Sequence, residues 1–167
     1  FGSLRRMNAL FQKQYQLPPT RFRGMTKTDP HKNPAIVVAM GYQPPYEWER
    51  ILKFLAQRAI PGVEKVSDGR YERTLCMTGK EGCEIAGWIS VSHRAQEHQL
   101  AVTLSDSLLP VLPQVLGRVR QLFDGYCDPA AVSDTLTAAE GGAPGDFACG
   151  LRVPGCVEPF ELCVRTV

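Results

Sequence analysis

The chain has 167 residues, with 19 Lys and Arg, 17 Asp and Glu, and a formal net charge of +2. With 44% hydrophobic and 22% charged residues it has the make-up of a folded domain, which excludes a disordered or low-complexity chain. No run reaches the roughly 18 apolar residues of a membrane span and no secretory signal opens the sequence, so a cytoplasmic protein of one domain plus appendages is expected.

The sequence starts at Phe1 without a Met and stops at Val167 inside a helical pattern, and so reads as a piece of something longer. Its charge is unevenly spread. Residues 1–32 hold seven Lys and Arg (Arg5, Arg6, Lys13, Arg21, Arg23, Lys27, Lys32) against the single acid Asp29, whereas the rest holds twelve basic and sixteen acidic residues. The arm is therefore either the part that attracts a polyanion or a solvated basic tail.

In chain order, "FGSLRRMNALFQKQYQLPP" predicts a short helix with Ser3 as N-cap, whose hydroxyl can accept a free amide of the first turn. Leu4, Met7, Leu10 and Phe11 fall on one face, Arg5, Asn8 and Gln12 on the opposite one, Arg6 on the flank, and Pro18-Pro19 ends the element. Residues 24–34, "GMTKTDPHKNP", read as a linker.

"AIVVAMGY" predicts a buried strand, stopped by Pro44-Pro45. A helix over 46–59 follows, with Trp48, Ile51, Leu52 and Leu55 at i, i+3, i+4 and i+7, closed by Pro61-Gly62. "VEKV" reads as a further short strand, and "RYERTLCM" puts Tyr71, Leu75 and Met77 on one strand face, a face that Arg73 shares. "EIAGWISV" sets Ile85, Ile89 and Val91 against Trp88, and "QLAVTLS" turns Leu100, Val102 and Leu104 inward. Residues 107–123 return to helical period, with a start blurred by Pro110 and Pro113; 128–136 read as a short helix, 138–150 as a loop, and a last helix follows Pro154-Gly155. The order strand, helix, several strands, helix predicts an α+β fold, an antiparallel sheet with helices on one face.

No phosphate loop, HExxH or GxSxG elbow is present. His93 and His98 read as solvated turn residues, and Glu47 and Glu49 as acids that favour a helix N-terminus. The six cysteines (Cys76, Cys83, Cys127, Cys149, Cys156, Cys163) form no CxxC pair and no zinc spacing with His, so no metal is expected.

Two resemblances go further than these patterns. "FGSLRRMNALFQKQYQLPPTRFR" resembles the last helix-turn-helix of AraC-type regulators, in the form found in Ada-type alkylation-response regulators, although the helices that normally precede it are missing. The resemblance implies that Arg5, Asn8 and Gln12 face bases in the major groove, with Arg6 and Lys13 near phosphates. The body, from Val37 to Val167, resembles the N-terminal part of the type II 3-methyladenine DNA glycosylases, the AlkA type, through "YQPPYEWERILKFLAQRAIPGVEKV", "GWISV", "RQLFD" with "CDPAAV", and "GLRVPGCVEPFELCVR".

What that similarity implies is a TATA-binding-protein-like domain over 35–126 and the start of an all-α glycosylase domain over 127–167, behind a helix-turn-helix remnant over 1–23. It implies a monomer acting on double-stranded DNA with alkylated bases, with no cofactor. Phe54 comes near the base-binding cleft or is core, and Tyr46 and Trp48 are packing residues. The catalytic Asp and the helix-hairpin-helix are implied to lie beyond Val167, leaving no catalytic residue in this chain. The alternative is a non-enzymatic DNA-binding module of an alkylation-response regulator.

Overall fold

The computed structural model describes residues 35–79, 82–140 and 150–166. The expected arm and linker, with Arg5, Arg6, Asn8, Gln12 and Lys13, lie outside them. The elements run β1 (Ala35–Gly41), α1 (Trp48–Gln57), β2 (Glu64–Ser67), β3 (Arg70–Thr78), β4 (Glu84–Arg94), β5 (Gln99–Ser105), α2 (Leu112–Leu122), α3 (Pro129–Glu140) and α4 (Pro159–Thr166).

The five strands form one antiparallel sheet in the order β1-β5-β4-β3-β2. Because β1 and β2 lie at opposite edges, the connection through α1 must cross a face of the sheet, and that face becomes the core. Side chains alternate across a strand. The register accordingly lines up Val38, Val102, Val91 and Tyr71 as one inward row over four strands, each fully buried. Leu100 and Leu104 are equally buried, and Ile85 packs against the cluster while remaining partly exposed.

α1 lays Trp48, Ile51, Leu52 and Leu55 on this face, and α2 adds Val115, Leu116, Val119 and Leu122, so the expected helix stripes meet the expected strand faces. The second helix starts later than its hydrophobic period suggests. Residues Asp106–Val111 form a 3-10 turn and α-geometry begins at Leu112, because Pro110 and Pro113 have no N–H to donate to the carbonyls of Asp106 and Leu109, as a helix begun at 107 would require. The other sheet face carries Thr74, Ser92 and Thr103, with Trp88 36% exposed, on the side its strand pattern predicts.

The expectation for His93 is corrected. It lies within β4 and not in a turn, and its half-buried ring packs among aromatics, whereas His98 does sit exposed in the turn, at φ 50°.

Candidate functional site

Helix α1 buries one stripe, so its other side faces away from the sheet. Phe54 lies there, 37% exposed and outside the core cluster. The Arg58 guanidinium, one turn further on, covers its ring at 4.1 Å from the centroid, a cation–π contact. Arg50 and Lys53 stand exposed on the same outward side.

On the inner face, the misfit that the β3 pattern shows at Arg73 is resolved by charge pairing. Its side chain is 2% exposed and lies 3.3 Å from Glu64 Oε1, whose side chain is fully buried. Tyr71 donates its hydroxyl to Glu64 Oε1, and the Ile60 amide donates to Glu64 Oε2 at 3.0 Å. The other end of Arg73 forks onto Glu161 of α4, one bond measuring 3.1 Å and the second made by Nη2 to Oε1. Burial works to lower the Arg73 pKa, but the bond to Glu161 and the neighbouring Tyr71 carry it upward, so the cation persists. Burial raises Tyr71, which stays a hydroxyl donor.

A second tie holds the strap 150–157 that leads into α4. Arg152 is 3% exposed and donates to three backbone carbonyls: Cys127 at 2.8 Å, Pro45 at 3.1 Å, and Gln43. Its guanidinium also lies 4.9 Å from the Tyr46 ring centroid. The strap passes so close to α2 that a Cβ on Gly155 would stand 2.6 Å from the Gln121 carbonyl, and the Gly155 amide donates to Leu122 at 3.1 Å. Gly150 takes φ +97° against Pro45, a conformation and a proximity that both require glycine.

Above this, the Tyr42 hydroxyl and His93 Nε2 are 2.6 Å apart, His93 stacks on Trp48 at 5.5 Å, and Trp48 stacks on Phe123 at 5.4 Å. Tyr46 donates to the Phe123 carbonyl at 2.7 Å. Burial holds His93 below the usual imidazole range, with Glu49 opposing and His98 reinforcing, so it is neutral at pH 7.

Chemically, this arrangement positions and stacks. Glu64 and Glu161 are engaged by Arg73, and among the described residues no group of His, Cys, Asp and Glu could hold a metal ion. Sequence reasoning marks Arg73 as out of place and misses Arg152, Glu161 and the role of His93. The signal for Arg73 is a charged residue in an inward strand slot. For Arg152 the only trace is its place in "GLRVPG".

With this geometry in view, the AlkA N-terminal domain profile matches residues 37–158, which takes in the sheet, α1, α2 and the Arg152 strap. The chain belongs to the AlkA N-terminal domain family. Among relatives, DNA-3-methyladenine glycosylase 2 of Escherichia coli (strain K12) is 38% identical over 128 residues, covering 77% of this chain and 42% of that protein. A probable bifunctional transcriptional activator/DNA repair enzyme AlkA of Mycobacterium tuberculosis is 27% identical over 177 aligned residues, covering the whole chain and 33% of that protein. The chain thus spans less than half the length of the AlkA relatives it matches.

Proposed function

We propose that this chain is the regulator-to-enzyme junction of a cytoplasmic, monomeric DNA-3-methyladenine glycosylase that removes alkylated bases from double-stranded DNA. In this reading residues 35–126 form a supporting domain, and 127–167 begin the helical domain that carries the chemistry. The catalytic Asp is supplied by that helical domain and not by this chain. Phe54 lines the base-binding cleft, where an electron-rich ring suits a cationic alkylated base flipped from the duplex. The arm, through Arg5, Arg6, Asn8, Gln12 and Lys13, contacts DNA as the end of an AraC/Ada-type helix-turn-helix.

The observation that carries this reading is the Arg73–Glu161 fork. It invests a buried cation in fixing where α4 begins relative to the sheet, which suits a domain that positions another. The test is release of 3-methyladenine from methylated duplex by this segment carried within a protein of its relatives' length. Release, lost when a downstream Asp is substituted, is expected. A second reading, a non-enzymatic DNA-binding module of an alkylation-response regulator, is favoured by the basic arm and by the activator half of the mycobacterial relative's name. Duplex binding with no base release from the longer protein is the result that selects it.

A further inference from the structure

The outward side of α1 exposes Arg50, Lys53, Phe54 and Gln57, and the C-cap residue Arg58 is exposed at its end. At about 1.5 Å rise per residue the stripe from Arg50 to Arg58 is about 12 Å long. The acids of this segment, Glu47 and Glu49, are confined to its N-terminal end, where they suit the helix dipole. Among the described residues Arg73 and Arg94 have carboxylate partners within ion-pair distance, while Arg50, Lys53 and Arg58 have none. Outside residues 1–32 the chain carries more acids than bases, whereas this helix side groups three cations around an exposed aromatic ring, with Glu49 as the acid one turn from Lys53.

We infer that this stripe is a second nucleic-acid contact, separate from the basic arm, in which Arg50, Lys53 and Arg58 bind duplex phosphates on either side of Phe54. The inference rests on the DNA reading above and deepens it, by putting part of the grip on the supporting domain itself. Over about 12 Å of axis a duplex carries roughly seven phosphate charges on its two strands together, at one per about 1.7 Å, so that the part of them on one side can still meet the three cations. Long, unpaired side chains reach phosphates without reading sequence, so the binding is independent of base identity. The Arg58–Phe54 stacking holds one of the three cationic groups in place before DNA arrives.

The test uses the full 167-residue chain and a fluorescein-labelled, undamaged duplex, read by anisotropy from about 50 to 200 mM salt. The R50A/K53A/R58A variant is expected to bind at least about tenfold more weakly at low salt. Its plot of log affinity against log salt should be shallower by about 0.9 for each phosphate that is no longer neutralised. R50K/R58K, which keeps the charges, should retain the wild-type slope, and R94A, which removes a cation paired with Glu97, should leave affinity and slope unchanged. Unchanged tryptophan emission and melting of the triple variant separate weakened DNA binding from unfolding. A wild-type slope in the triple variant, or an equal loss of affinity in R94A, overturns the inference and leaves the glycosylase reading standing. Absence of duplex binding by the wild-type chain likewise overturns the inference, while the glycosylase reading is decided separately by base release from the longer protein.

Discussion

Removing the Arg73 guanidinium strips a buried cation from four partners at once, Glu64, Tyr71, Glu161 and the Thr74 carbonyl, which makes Arg73→Ala the most informative single change. Arg73 is 2% exposed, Glu64 0% and Glu161 12%, so solvent can compensate little. Breaking a buried pair by deleting one member costs about 3–5 kcal/mol, because the carboxylate left behind is both desolvated and unpaired. Glu161→Gln is gentler. It leaves Arg73 with Glu64 and Tyr71 and weakens one charge-assisted bond, at a cost of about 1.5–3 kcal/mol. The assay is urea unfolding followed by the emission of Trp48, which is 5% exposed and stacked on Phe123. Arg73→Ala is expected to lower stability by the larger amount, and Glu161→Gln by roughly half of it. A loss below about 1 kcal/mol for Arg73→Ala, or equal losses for the two variants, would refute the reasoning that Arg73 first satisfies Glu64 and only then fastens α4.

Three further outcomes are expected. Trp48→Ala should destabilise by about 3–5 kcal/mol, whereas Trp88→Ala, on the open sheet face, should cost less than about 1 kcal/mol in the same melts. For His93 the folded pKa lies below the unfolded value of 6.5, so the folded state binds fewer protons than the unfolded one as pH falls. Stability should therefore decline as pH drops below about 6.5, and His93→Gln should flatten that decline, as read from midpoints between pH 7.5 and 5. Gly155→Ala should destabilise by about 1–3 kcal/mol, since the new methyl would meet the Gln121 backbone; a neutral thermal melt would show that the strap can move aside.

The sheet and its two covering helices are legible in the sequence because their cause is periodic. Leu100, Val102 and Leu104 alternate, and Ile51, Leu52 and Leu55 recur with the helix, so each pattern identifies its own inward face. What pairs across the chain is not legible. Arg73 announces itself as a charge on an apolar face, yet its partner Glu161 lies 88 residues away and nothing local points to it. His93 reads as a turn residue because its surroundings come from Tyr42, Tyr46 and Trp48, on a loop and a helix that the fold brings over β4. Arg152 is bound by main-chain carbonyls, which have no side-chain signature at all. The late start of α2 follows from two prolines that are visible, although how far they displace the helix is not.

Centrally, this chain is held to position and grip while the bond-breaking groups lie elsewhere in the protein. The direct test is 3-methyladenine release from methylated duplex by the 167-residue chain alone, assayed beside a protein of its relatives' full length. The expected result is release by the longer protein and none by the chain at any concentration, because flipping a base costs a few kcal/mol that one aromatic ring and a few phosphate contacts do not offset. Release by the chain itself, abolished by substituting one of its own carboxylates, would contradict it.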